Sequence, residues 1–224
     1  MPIMDFVFML TRADQTVRDG LAVLDDIREV GVTHIGFKDV GVEPATLATL
    51  HRRIKDLGAT SYLEVVSTTP EACLASARVG RAIGVDRLLG GTQVEPVLEL
   101  LAGSQVAYLP FPGRPVGHPT RLGGSPDDVE GDCRRFTALG CAGVDLLAYR
   151  ATDADPLALV RAARRATAGV LLVAGGIGRP DQIAALAAAG VDAFTVGSAV
   201  FDGSFAPHAG SLRSQLKAVL DAAG

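Results

Sequence analysis

The sequence predicts an α/β fold, a closed (β/α)8 TIM barrel with a two-fold half-barrel repeat, occupying residues 1–224 as one domain. Three observations predict it. Short apolar runs alternate with amphipathic Ala/Leu-rich stretches from end to end, the pattern of strands and covering helices. Several amphipathic stretches open on Pro44, Pro70, Pro126, Pro156 or Pro180, and many close on Gly31, Gly58, Gly84, Gly140, Gly169 or Gly190. Proline lacks the N–H that a first helical turn leaves unpaired, and glycine takes the left-handed turn that ends a helix. Finally, segments recur at a spacing near half the chain.

The expected strands are 5–10, 33–38, 60–66, 85–90, 105–109, 143–148, 170–174 and 191–196. Between them lie helical patterns such as 17–30, 44–57, 70–83, 126–139, 155–166, 180–189 and 211–222. A shift of 112 residues lays Gly31–Lys38 on Gly143–Arg150, Pro44 on Pro156, and Arg52 and Arg53 on Arg164 and Arg165. A shift of 110 lays Pro70 on Pro180, and one of 106 lays Gly91 and Thr92 on Gly197 and Ser198. Four matches in chain order indicate two four-strand halves.

Composition narrows the function. Hydrophobic side chains are 48% and charged ones 21%, which is too apolar for a disordered chain. No run reaches the ~18 apolar residues of a membrane span, and the start lacks a signal-peptide layout, so a cytoplasmic protein is expected. The net charge of -4, with only three lysines, argues against nucleic acid as a partner. Cys73, Cys133 and Cys141 fit neither a disulfide framework nor a zinc site, and read as small buried thiols. The expected partner is a small anionic, phosphorylated metabolite; a homo-oligomer stays open.

The most specific local signal is Val173, Ala174, Gly175, Gly176, Ile177 and Gly178 at the seventh strand tip, followed by Val196, Gly197 and Ser198 at the eighth. Glycines there let backbone amides approach an anion, and Ser198 opens a short helical turn. Gly175, Gly176, Gly178, Gly197 and Ser198 are therefore the expected phosphate cradle. A dinucleotide reading of Gly176-Ile-Gly178 fails, because Asp192 begins the following strand where that motif needs an acid at a strand end.

These motifs and the half-barrel repeat resemble the ribulose-phosphate-binding barrels, most closely the phosphoribosyl-formimino carboxamide ribotide isomerase and cyclase of histidine biosynthesis. The resemblance implies a substrate with a phosphate at each end and a pair of catalytic aspartates at the tips of strands 1 and 5. The chain departs from both. Glu64, Val65, Val66 and Ser67 stand where a second glycine pair is expected, which implies one phosphate rather than two. Met9, Leu10, Thr11 and Arg12, and Leu109, Pro110, Phe111 and Pro112, supply no carboxylate in register; Asp14 lies two residues past Arg12.

Strand alternation sorts the remaining side chains. In strand 2, His34, Gly36 and Lys38 face the barrel interior; in strand 3, Tyr62, Glu64 and Val66 do; in strand 6 the repeat turns Arg150 inward like Lys38. Lys38 can polarise a carbonyl, form a Schiff base, pair with a substrate anion, or simply bridge to Glu64 or Asp39. Glu64 is a general base or the counter-ion of Lys38. Asp39 is a second carboxylate or a Mg²⁺ ligand; no other metal or cofactor is expected. Arg150 reads as an electrostatic clamp. Arg12, Gly91, Thr92, His118 and Arg121 are further candidate substrate contacts, the last two on a long connection, 110–124, read as a lid or an ordered cover. His34 reads as a core histidine, His51 and His208 as helix-surface residues.

The leading expectation is an isomerase-type enzyme moving a proton next to the carbonyl of a small phosphorylated compound. A Schiff-base lyase using Lys38 and a non-catalytic phosphosugar-binding barrel are the alternatives.

Overall fold

A computed structural model describes residues 4–67 and 69–224. The eight expected strands all form: β1 Asp5–Met9, β2 His34–Lys38, β3 Thr60–Val65, β4 Arg87–Gly90, β5 Ala107–Leu109, β6 Gly143–Leu146, β7 Val170–Val173 and β8 Ala193–Val196. They lie in the order β6-β7-β8-β1-β2-β3-β4-β5, every neighbouring pair parallel. The remaining gap closes through Ala142 N–H to Tyr108 O and Asp145 N–H to Pro110 O, each at 3.0 Å. A sheet closed in this way is covered on both faces, so Phe6 through Leu10 are buried without alternation.

Helices α1 Gly20–Ile27, α2 Pro44–Asp56, α3 Pro70–Ile83, α4 Val94–Leu101, α5 Pro126–Ala138, α6 Pro156–Ala166 and α7 Pro180–Ala188 follow the first seven strands. The short α8 Ser198–Phe201 and the terminal α9 Leu212–Ala223 follow the eighth. All five helix-opening prolines occupy the first turn. Thr69, Ser125 and Asp155 cap α3, α5 and α6 by accepting from the amides of Ala72, Asp128 and Ala158.

The structure departs from the sequence reading in several places, among them α4, for which no helical pattern is read from the sequence. Residues Thr11–Arg12 and Gln15–Thr16 pair as a tight antiparallel hairpin, so α1 begins at Gly20 rather than 17. Its two turn residues, Ala13 and Asp14, have φ of +49° and +64°, the geometry of a two-residue turn whose twist matches its strands. The connection 110–124 contains a second hairpin, Arg114–Val116 with Arg121–Gly123. It is anchored by Gly113 N–H to Asp132 and Thr152 N–H to Leu122 O, so it is an ordered cover. Strand β6 stops at Leu146 and gives way to a 3-10 turn, Ala148–Arg150.

At the amino-terminal end of the barrel His34 shares a 2.8 Å hydrogen bond with the Tyr62 hydroxyl, and its other nitrogen lies 3.6 Å from Asp5. Arg87 sits over the Tyr62 ring. This end carries structural contacts, as the core reading of His34 expects. His51 differs from its surface reading: its Nδ1 is 3.0 Å from the buried Ser61 hydroxyl, which also donates to Asp86. His208 is exposed in a loop before α9.

Candidate functional site at the barrel mouth

The carboxyl ends of the strands open on a cavity of about 290 Å³. Its lining includes Lys38 and Glu64 from β2 and β3, Arg150 beyond β6, Gly175, Gly176 and Gly178 beyond β7, and Gly197 and Ser198 beyond β8. The cations and glycine corners expected from sequence therefore share one opening.

Lys38 and Glu64 are register partners on adjacent strands, both facing inward, and only 4% and 3% exposed. Lys38 Nζ lies 3.2 Å from Glu64 Oε2 and 2.6 Å from Asp14 Oδ1. Asp14 also accepts from Arg150 Nη2 at 2.8 Å, so one carboxylate bridges the two cations. Burial alone would push the Asp14 pKa up. The Arg150 hydrogen bond and the charge of Lys38 outweigh it and hold the carboxyl well below the usual range. Burial likewise opposes the Lys38 charge, but Glu64 and Asp14 raise its pKa above the ordinary lysine value. Lys38 is thus a firmly protonated ammonium.

Asp14 is the largest omission of the sequence reading. Strand alternation places no carboxylate at the first tip, yet the hairpin after β1 folds back and delivers one. Only the spacing of Thr11 and Thr16 about a polar turn hints at it. A second omission is Asp145 on β6, fully buried, with neither carboxyl oxygen hydrogen-bonded among the described residues. Burial first, then the nearby Glu64 charge, drives its pKa well above the carboxylate range. It therefore carries a proton beside Glu64 in the barrel interior. The repeat aligns Asp145 with Thr33, so no carboxylate in the first half points to it.

Arg150 reaches the mouth for a different reason than the one expected. On β6 it is Asp145 that faces the interior, and the 3-10 turn after Leu146 carries Arg150 back over the opening. A Cβ on Gly175, at φ +74°, would collide with the Arg150 guanidinium. A Cβ on Gly176, at φ +77°, would stand only 3.0 Å from Tyr149. Both corners thus need glycine. The amides of Gly176, Ile177, Ser198 and Ala199 carry no hydrogen bond among the described residues. Those of Gly178 and, more weakly, Gly175 are engaged by Gln182 Oε1 and Thr195 Oγ1, at 2.9 and 3.4 Å. Gly178 therefore shapes the cradle without contributing a donor.

The cover meets this cluster. Thr120 N–H donates to Asp14 Oδ2 at 3.3 Å, Arg150 Nη1 donates to Thr120 O at 3.1 Å, and His118 Nδ1 stands 3.7 Å from Asp14 Oδ2. His118 is thus brought to the site. Arg121 is not: it is exposed and lines a separate shallow depression beside Tyr149. Asp39 is also corrected. It accepts from Val66 N–H, Ser67 Oγ and Ser76 Oγ, tying the end of β2 to the tip of β3 and the middle of α3 outside the cavity. Among the described residues no group of three or more His, Cys, Asp or Glu could hold a metal ion. Arg12 turns outward to Asp202 Oδ1 at 2.9 Å and Phe201 O, neutralising a carboxylate on the cradle rim rather than entering the cavity. Gly91 and Thr92 line a different cavity, beside β3 to β5.

The three cysteines are free, Cys73 and Cys133 buried and Cys141 half-buried. Burial pushes the Cys133 and Cys141 thiols up to about 12 and about 11, which leaves both as poor nucleophiles. No helix among the described residues is long and apolar enough to cross a membrane.

No protein-family model and no curated protein matches the chain. Solved structures do. The BexX/CysO complex of Amycolatopsis orientalis matches over 98% of this chain and 88% of that one, at 22% identity and a TM-score of 0.66. Orotidine 5′-phosphate decarboxylase from Pyrococcus horikoshii matches over 97% and 98%, at 17% identity and 0.64. A mutant tryptophan synthase α-subunit from Pyrococcus furiosus matches over 98% and 96%, at 13% identity and 0.67. Likeness across whole chains at such low identity speaks to architecture alone, and with the strand order it establishes this chain as an α/β TIM barrel.

Proposed function

We propose that the protein is an enzyme of the phosphate-binding barrel type that moves a proton next to the carbonyl of a small phosphorylated compound. One observation carries the reading: the Lys38–Glu64 pair lies in the same cavity as a glycine cradle with unengaged amides. In this reading the amides of Gly176, Ile177, Ser198 and Ala199 hold the phosphate, and Arg150, which lies against Gly175, clamps it. The Glu64 carboxylate takes the proton from the carbon beside the carbonyl. The C–H electron pair moves into an enediolate whose oxygen the Lys38 ammonium stabilises, the proton of the adjacent hydroxyl passes to the former carbonyl oxygen, and Glu64 delivers its proton to the former carbonyl carbon, so that the carbonyl has moved to the neighbouring carbon. Asp14, held ionised by two cations, is a poor base. Its task is to position Lys38 and Arg150, so it does not restore the two-aspartate chemistry of the histidine-pathway isomerase.

The protonation of Lys38 weighs against the Schiff-base lyase, since an imine-forming lysine needs a depressed pKa and a free amine. Borohydride with substrate present should leave Lys38 unmodified. The direct test incubates the enzyme with a panel of aldose and ketose phosphates in D₂O and follows the C–H signals by proton NMR. Deuterium should enter next to the carbonyl of the true substrate, and Glu64→Gln should slow that entry at least 100-fold while phosphate still binds. Phosphate binding with no exchange across the panel would instead favour a non-catalytic phosphosugar-binding barrel.

A further inference from the structure

Beside the ionic cluster, under the cover hairpin, lies a second cavity of about 270 Å³. Its walls are Val65, Val66, Phe111, Pro115 and Val116, with Ser67, Thr92 and Thr120 as the polar members and no charged side chain. In a barrel with a half-barrel repeat this is where a second anion would be sought, and the lining offers no cation to hold one. The Cys73 sulfur stands against this corner, where a Cβ on Gly91 would run into it. The Ser67 hydroxyl donates to Asp39. What remains is a carbon-lined hollow with one buried side-chain hydroxyl left without a partner among the described residues. Thr120 is 6% exposed, and its Oγ1 is buried without a hydrogen-bond partner among the described residues.

A buried hydroxyl without a partner costs free energy unless something fills the site and pairs with it. Thr120 also connects the two cavities, because its backbone N–H and carbonyl are the groups that bond Asp14 and Arg150. We infer that the second cavity receives an uncharged hydrocarbon arm of the same substrate, bearing a hydroxyl or carbonyl that pairs with Thr120 Oγ1. The substrate class is thus a phosphate monoester with a neutral arm, not a bisphosphate. At about 30 Å³ per water-sized group, the arm has room for no more than roughly nine heavy atoms. The inference rests on the phosphate cradle proposed above.

Calorimetric titration of the full chain with four probes tests it: inorganic phosphate, hexyl phosphate, 6-hydroxyhexyl phosphate and fructose 1,6-bisphosphate. Both alkyl esters should bind at least tenfold tighter than inorganic phosphate, and the hydroxylated one tighter still. Thr120→Val, which keeps the shape and both backbone bonds, should erase the difference between the two esters. Val66→Phe, which fills the hollow, should return both to the affinity of inorganic phosphate while leaving that affinity unchanged. Inorganic phosphate binding with no gain from either arm, or a bisphosphate binding tightest, overturns the inference and leaves the cradle standing. Failure of inorganic phosphate itself to bind removes the cradle and the inference together.

Discussion

Asp14 decides how the mouth of the barrel is held. Its side chain is buried between Lys38 and Arg150, so Asp14→Asn leaves two cations facing each other with a neutral amide between them. Losing one partner of such a buried pair costs about 3–5 kcal/mol, and urea denaturation at pH 7 should show a drop of that order. The pH dependence follows from the sign of the shift. A depressed carboxyl contributes fully above the unfolded value of about 3.9 and loses its contribution as pH falls through the lower folded value. Asp14→Asn should therefore flatten the acid limb of the stability profile. Asp145 acts in the opposite sense. Its raised pKa means that the unfolded chain releases a proton above about pH 4 while the folded one keeps it, so stability falls as pH rises toward the folded value. Asp145→Asn should remove that fall, and urea midpoints at pH 4 and pH 8 should lie closer together than in the wild type. At this scale, alternation along β2 and β3 made Lys38 and Glu64 legible. It could not reveal Asp14, whose direction is set by a turn, nor Asp145, whose neighbours come from the opposite wall.

Turns as well as strands carry the site. The turn after β1 places alanine at φ +49°, where most chains use glycine or asparagine, because a side chain there crowds its own carbonyl. Ala13→Gly should relieve this strain of about 1–2 kcal/mol. Glycine's greater freedom in the unfolded chain offsets about 0.5–1 kcal/mol. A small rise in urea midpoint is expected, and a fall would mean that the turn is not under strain. The corner after β7 is the converse. Gly175→Ala puts a methyl where the Arg150 guanidinium lies, and should weaken inorganic phosphate binding at least tenfold by calorimetry. Helix starts were legible because Pro at the first turn and Gly at the end are local signals; α3 spans the expected 70–83. The two hairpins were not, since each depends on pairing a few residues whose spacing resembles ordinary loop sequence.

Across the whole molecule, strands β1 to β8 and their order follow from the alternation and the repeat, and the seam between β5 and β6 closes as a barrel requires. The repeat itself is broken where function enters. Pro44 and Pro156, and Pro70 and Pro180, open matching helices, but the glycine corner after β7 lies beside amides without partners while its counterpart in the first half stands against the Cys73 sulfur and Val65. In the proposed reading, one half anchors an anion and the other accepts its neutral remainder. Titration of inorganic phosphate followed by phosphorus-31 NMR tests this division most directly, using Ser198→Glu and Thr92→Glu, two exposed positions at the equivalent tips. The wild type should bind one equivalent, Ser198→Glu should abolish binding through like-charge repulsion, and Thr92→Glu should leave it intact. Two equivalents in the wild type, or binding that survives at Ser198→Glu and disappears at Thr92→Glu, would contradict it.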